Sequence, residues 1–296
     1  MGHRNVYASV LIGGKNLNQK QKQQAPILYR YFYRRWVVLF NNNTLEVNNI
    51  YHGDCLELMQ HIPDKSIDMI LCDLPWLYGT TACKWDEIIP LEPLWEQYNR
   101  VIKDNGAIVL TASQPFSSKL VASNFKGFKH EWIWEKERGT GFQVAKYRPM
   151  QKHEHILVFT RKGEKVKYYP IKTKLKKPLK SRSAGTASGS NPLAKVNKYE
   201  ITYTDKHPLS ILKFSRDNAN RVHPTQKPVA LFEYLIKTYT NEGETVLDNC
   251  IGSGTTAIAA INTNRNYIGF ELDEEYYNLA NERISKTLKS ETLESR

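Results

Sequence analysis

The sequence predicts an α/β protein built on a mostly parallel sheet with helices on both faces. Three observations predict it. Apolar runs of strand length recur along the chain, segments of helical period stand between them, and residues 245–271 read as a complete strand, glycine loop, helix and strand.

From residue 48 onward the elements follow in order. Asn49-Ile50-Tyr51-His52-Gly53-Asp54 reads as a short strand ending in a turn. Residues 67–72 form a continuous apolar run closed by Asp-Leu-Pro, the pattern of a strand buried on both faces. Leu91, Leu94, Trp95, Tyr98, Val101 and Ile102 recur at helical spacing, and Asp104-Asn105-Gly106 is the expected stop. Ala107-Ile108-Val109-Leu110, Trp132-Ile133-Trp134 and His155-Ile156-Leu157-Val158-Phe159 are the next strands. Thr225 is the expected cap of a helix that keeps Pro228 in its first turn and lines one face with Val229, Phe232, Leu235, Ile236 and Tyr239. A strand at 245–248, a helix from Thr255 to about Ile261, a strand at 267–271 and a last helix from about Glu274 complete the pattern.

Composition bounds the class. A 296-residue chain that is 41% hydrophobic can bury a real core. Its apolar runs are far shorter than the roughly 20 residues a membrane helix needs. Met1-Gly2-His3-Arg4-Asn5-Val6 lacks the apolar core of a signal peptide. Cys55, Cys72, Cys83 and Cys250 fall in no Cys-x-x-Cys pair, so free thiols in a reducing cytoplasm are expected, without a disulfide or metal. His153 and His155 share one face of a strand with no third ligand in view.

The net charge of +12 is unevenly placed. Residues 161–222 carry 16 Lys and Arg against 4 Asp and Glu, and residues 1–46 carry 7 against 1. The remainder is mildly acidic. Positive charge gathered in this way usually faces a polyanion, the alternative being a solvated basic surface. The chain therefore divides into an N-terminal extension (1–46), a first α/β half (47–160), a basic insertion (161–222) and a second α/β half (223–296). In the extension, Lys15 to Gln24 is polar without period, and Tyr29-Arg30-Tyr31-Phe32-Tyr33-Arg34-Arg35-Trp36 interleaves aromatics with arginine. The simpler reading of this extension is a tail with no task of its own.

Two runs carry chemistry. Asp248-Asn249-Cys250-Ile251-Gly252-Ser253-Gly254-Thr255 leads from a strand into a helix start, where free N–H groups and the helix dipole favour an anionic group. Glu271 ends the next strand, where an acid can bind ribose hydroxyls. Alone, this pattern is equally a turn beside a surface glutamate. Upstream, Asp73-Leu74-Pro75-Trp76 closes the run at 67–72; alone, it is an ordinary turn.

Together and in this order the runs resemble the circularly permuted β group of DNA methyltransferases that methylate exocyclic amines. His223-Pro224-Thr225-Gln226-Lys227-Pro228 and Gly53-Asp54-Cys55-Leu56-Glu57 extend the resemblance, which covers about residues 50–280 apart from the insertion. It implies a Rossmann-like fold and S-adenosyl-L-methionine as cofactor. Asp248, Gly252, Gly254 and Thr255 would form the cofactor loop, with the glycines beside the methionine part. Glu271 would hold the ribose, Lys227 approach the methionine carboxylate, and Asp54 approach the adenine; Asp54 is almost as readily a plain helix cap.

In the catalytic run, the Asp73 carboxylate and the Leu74 carbonyl would accept the amine hydrogens. Pro75 would fix the turn, and Trp76 would stack on the extruded base. Aspartate in first place generally accompanies adenine N6 methylation. Leu74 stands where proline is more common, but its backbone carbonyl suffices. The resemblance thus implies a site-specific adenine N6 enzyme of a bacterium, or of a phage in a bacterial host. Double-stranded DNA would be its partner, with no membrane, and a homodimer and a cognate restriction endonuclease are both compatible. An N4-cytosine or RNA adenine enzyme on the same scaffold is the rival. An inactive DNA-binding relic fits less well, because it would need neither Asp73 nor Trp76. The insertion would recognise the target, with Arg182, Arg216 and Arg221 as candidates for bidentate contacts to guanine.

Overall fold

The computed structural model describes residues 44–75, 89–182, 200–215 and 226–294. Trp76, Cys83, Arg216, Arg221, the Thr225 cap, the N-terminal runs at 15–24 and 29–36 and the side chain of Arg182 lie outside the described residues.

Among the described residues ten strands and six α-helices follow in chain order: β1 (Asn49–His52), α1 (Cys55–Met59), β2 (Ile67–Asp73), α2 (Leu91–Val101), β3 (Ile102–Ala112), α3 (Phe116–Ser123), β4 (Phe128–Thr140), β5 (Gln151–Phe159), β6 (Thr173–Arg182), β7 (Glu200–Lys206), β8 (Ile211–Lys213), α4 (Val229–Tyr239), β9 (Thr245–Asp248), α5 (Thr255–Ile261), β10 (Asn266–Glu271) and α6 (Glu274–Glu294). Eight strands form one sheet in the order β1-β10-β9-β2-β3-β5-β4-β8. Among them β5 alone runs against its neighbours; every other adjacent pair is parallel. β6 and β7 make a separate antiparallel ribbon.

Alternation along the strands builds a core on each face of this sheet. Met69, Leu71, Val109, Trp132, Trp134, Ile156, Val158 and Val246 pack against α4 and α5. Ile70, Cys72, Ile108, Leu110, Leu157 and Phe159 pack on the other face against α1, α2 and α3. In β2 all six residues from Ile67 to Cys72 are buried, Asp68 among them with its carboxylate held by Lys103 and the Thr245 N–H.

Two local expectations fail for identifiable reasons. Asp104-Asn105-Gly106 does not stop α2. The helix ends at Val101, because Ile102 is already extended (φ −72°, ψ 139°) and pairs with Ile67 on β2. Burial of Ile102 overrides the turn signal, and the three residues lie inside β3. Gly106 is needed there for close approach, since a Cβ would sit 2.8 Å from the Asp68 carbonyl oxygen and 2.7 Å from Ile102 Cγ1. Pro228, in turn, is not within the first turn of α4. It stands just ahead of the helix in extended conformation (φ −63°, ψ 130°).

The ends of the basic segment are tied to the sheet. Lys167 Nζ lies 2.5 Å from Glu244 Oε1 and 3.4 Å from Asp68 Oδ1, at the amino ends of β9 and β2. The Tyr169 N–H donates to the Thr238 carbonyl at 2.8 Å. β8 then joins the sheet beside β4. Between these anchors Lys172 and, on the ribbon itself, Lys174, Lys176 and Lys177 are exposed to solvent. No helix among the described residues is long and apolar enough to cross a membrane.

Tyr239 fastens α4 to β4. Its hydroxyl accepts from Trp132 Nε1 at 2.7 Å and lies 2.8 Å from His130 Nε2. Tyr239→Phe is expected to cost about 1–3 kcal/mol, the penalty for leaving the buried indole N–H without an acceptor. Urea unfolding with an unchanged m-value checks this; an unchanged midpoint would show the hydroxyl to be dispensable.

Candidate active site

The parity that fills the core also decides which polar residues meet at the carboxyl edge of the sheet. Asp73 continues the face of Met69 and Leu71, Thr111 that of Val109, Lys136 that of Trp132 and Trp134, and Asp248 that of Val246. Glu154, at the entry of antiparallel β5, precedes Ile156 and Val158 on the same face. α4 covers this face, and the segment leading into it delivers Lys227.

These groups form one chain of contacts. Lys227 Nζ is 2.5 Å from Asp73 Oδ2 and 3.4 Å from Glu154 Oε2, and Lys136 Nζ is 2.6 Å from Glu154 Oε1. Thr111 Oγ1 donates to Asp73 Oδ1. Lys136 and Lys227 are buried, with Lys136 also 5.6 Å over the Trp134 ring. Burial works against the charge on Lys227, yet the Asp73 and Glu154 carboxylates raise its pKa above the ordinary lysine value. Burial likewise pushes Glu154 up, but the two ammonium groups hold it below the usual carboxylate value. Asp73 keeps 26% of its side chain exposed, so its carboxylate faces both this buried chain and the outside. Leu74 is buried and Pro75 half-buried beside it.

The glycine loop stands next to this group, because β9 and β2 are hydrogen-bonded neighbours. Asp248 Oδ1 accepts from the Cys250 N–H at 3.1 Å, and Oδ2 accepts from Thr256 Oγ1 at 2.5 Å. Burial pushes the Asp248 carboxyl up to about 7 in spite of these donors. Glu271 Oε2 accepts from the Gly252 N–H at 2.8 Å and Oε1 from the Asp273 N–H at 2.9 Å; burial raises its pKa too. Gly254 has φ +83°, and a Cβ there would meet Ala280 of α6 at 3.3 Å. Gly252 has φ +52° and open space where a Cβ would be. Asp54 caps α1, accepting from the Leu56 and Glu57 N–H groups at 2.8 and 3.2 Å.

The loop fits a small polar cofactor on two counts. The space above Gly252 is open, and Thr255 Oγ1, at the first residue of α5, is buried without a hydrogen-bond partner. The structure therefore gathers Asp73, Leu74, Pro75, Lys227, Asp248, Gly252, Gly254, Thr255 and Glu271 along the carboxyl ends of β2, β9 and β10. Asp54 stands at the end of neighbouring β1. Sequence reading leaves out Thr111; it holds Lys136 only within Trp134-Glu135-Lys136-Glu137-Arg138-Gly139, a run that resembles the border of the family's base pocket, and Glu154 only between the paired histidines. The signal for the last two is a charged residue extending an apolar alternation, Trp132-x-Trp134-x-Lys136 and Glu154-x-Ile156-x-Val158. Cys55 and Cys72 are buried free thiols and Cys250 is partly buried. Among the described residues no His, Cys, Asp and Glu group could hold a metal.

A mostly parallel sheet with a glycine loop and an acid at successive strand ends defines an α/β protein built to bind a nucleoside-bearing cofactor. The family model for DNA methylases that modify N6 or N4 amines matches residues 67–282, and the chain belongs to that family. It is 29% identical over 244 residues to the type II methyltransferase M.HpaI of Haemophilus parainfluenzae, covering 78% of this chain and 72% of the relative. It is 27% identical over 253 residues to the DNA adenine methyltransferase YhdJ of Escherichia coli K12, covering 81% and 83%. The M1.HpyAVI–SAM complex superposes with a TM-score of 0.54 at 24% identity, over 80% of this chain and 98% of that one. S-adenosylmethionine is the methyl donor of this family.

Asp248 has a pH signature. A carboxyl raised to about 7 in the folded state from about 3.8 binds more protons folded than unfolded across that interval. Its favourable contribution is complete below about pH 4 and is lost as pH rises through 7. The stability difference between Asp248→Asn and the unaltered protein should therefore shift in favour of the asparagine variant from pH 4 to 7. Urea titrations across that range measure it, and a pH-independent difference would place the carboxyl's titration elsewhere.

Proposed function

We propose that this protein is a site-specific DNA methyltransferase that modifies the exocyclic N6 of adenine in double-stranded DNA, with the target base turned out of the helix. One observation carries the reading: a part-exposed carboxylate, Asp73, ends the strand next to the one that ends in the glycine loop. The acceptor for a base amine and the cofactor loop thus stand side by side at the edge where open α/β sheets bind ligands.

The chemistry follows from what an aromatic amine needs. Its lone pair is delocalised into the ring, and acceptors placed on its hydrogens return that pair to nitrogen. Asp73 supplies a carboxylate for one hydrogen and Leu74 a main-chain carbonyl for the other. Pro75 fixes the turn between them, and Trp76 follows as a stacking face for the base. S-adenosylmethionine, when bound, supplies a methyl group on a sulfonium leaving group. Asp248, Gly252, Gly254, Thr255 and Glu271 are the groups proposed to hold it, with Asp54 beside the adenine; Lys227, expected at the methionine carboxylate, is instead buried and paired with Asp73 and Glu154. An aspartate at the first catalytic position supports adenine, as does the adenine specificity that the name of the Escherichia coli relative states.

Asp73→Ala is expected to abolish methyl transfer while cofactor binding persists by calorimetry; retained turnover would remove Asp73 from catalysis. Modified-base sequencing of DNA from cells expressing the protein should show N6-methyladenine in one sequence context. N4-methylcytosine would overturn the base assignment.

The basic β6–β7 ribbon is the part of the insertion proposed to grip DNA. Changing Lys174, Lys176 and Lys177 to alanine should lower the slope of log affinity against log salt by roughly 2–3, as expected for three lost phosphate contacts. An unchanged slope would move the DNA contact elsewhere.

A further inference from the structure

The chain of charges from Lys136 to Asp73 is longer than a single ion pair requires. Lys227 alone would neutralise Asp73. Instead it lies between two carboxylates, and the second, Glu154, is itself held by Lys136 on the adjacent strand. We infer that Glu154 is a positioning residue that competes with Asp73 for the Lys227 ammonium and so keeps Asp73 a strong acceptor for the base amine. This rests on the reading of Asp73 given above.

The argument is one of charge and distance. A carboxylate 2.5 Å from an unshared, buried ammonium gives up much of its strength as an acceptor for a neutral N–H. A second carboxylate 3.4 Å from the same ammonium draws part of that field away. Glu154 meets this requirement because both of its oxygens are committed, one to Lys136 and one to Lys227. The four groups are together neutral, which lets them stand buried at the edge of the core. The arrangement is also rigid. Asp73 pairs in register with Thr111 on β3, and Glu154 pairs with Trp134 on β4. Both carboxylates are thus placed by strands of the sheet, and the Lys227 ammonium is the group they share.

Stability and turnover separate in two variants. Glu154→Gln leaves two buried ammonium groups facing one carboxylate, and it should lose thermal stability and at least 10-fold in kcat, about 1.4 kcal/mol. KM for DNA and the affinity for S-adenosylhomocysteine by calorimetry should stay within about 3-fold of the unaltered protein. Adding Lys136→Met to Glu154→Gln restores neutrality. The double variant should recover thermal stability without recovering kcat, since Asp73 still faces the whole charge of Lys227. Recovery of kcat together with stability would make Glu154 a structural residue only and overturn the inference. So would a Glu154→Gln enzyme within 2-fold of normal kcat. Should Glu154→Gln fail to fold, kcat of the double variant alone decides between the same two outcomes. Asp73→Ala measured alongside separates the two claims, because an active Asp73→Ala enzyme refutes the role of Asp73 itself.

Discussion

A strand buried on both faces holds charge only where a partner reaches it, as Lys103 reaches Asp68, so its charges gather where it enters and leaves the core. The site depends on this constraint. β2 is apolar from Met69 to Cys72 and becomes acidic at Asp73, where only 26% of the side chain is exposed. A carboxylate in that position needs a partner of opposite charge, and the partner needs a second one to be held in place. Thr111, Lys227, Glu154 and Lys136 answer that need in sequence, each from a different element. Their common face follows from the two-residue repeat of the strands.

The same constraint shapes the glycine loop. Asp248 ends β9 and is turned inward onto Thr256 and the Cys250 amide, so the loop leaves the sheet with its backbone turned tightly. Gly254 has φ +83°, which favours glycine, and a Cβ there would press on Ala280 of α6 at 3.3 Å; Arg283 on the same helix donates to the Ser253 carbonyl. Glu271 closes the loop from the other side through the Gly252 amide. The loop is therefore fixed from three directions while the space above Gly252 stays open.

Much of this was legible in the sequence, for specific reasons. The continuous apolar run at 67–72, the periodic faces of α2 and α4 and the strand–loop–helix–strand unit at 245–271 each carry their own local signal. The tertiary structure agrees with them. The end of α2 is not legible locally, because burial of Ile102 against β2 outweighs the turn preference of Asp104-Asn105-Gly106, and no local rule contains that contact. The ion pairing of Lys136 and Glu154 is hidden for a related reason. Each looks like an ordinary charged residue beside an apolar run until β4 and β5 are paired and α4 sets Lys227 over them. The Asp54 cap, by contrast, is a local event, and the sequence alone suggests it.

The strand order has a consequence for how the protein is made. β1 belongs to the first half of the chain, yet it lies at the edge of the sheet, and Asn49 pairs with Ile268. β9 and β10 are inserted between it and β2. During synthesis, one edge of β2 stays without its neighbour until residues 245–271 have left the ribosome. An unpaired apolar strand is a template for aggregation, and contacts so distant in sequence form slowly. Early folding therefore falls to the β2–β3–β5–β4 half with α2 and α3, and the cofactor loop is among the last parts to be built. A cell that stalls late in translation holds a protein with its acceptor carboxylate in place but no neighbouring loop to serve it.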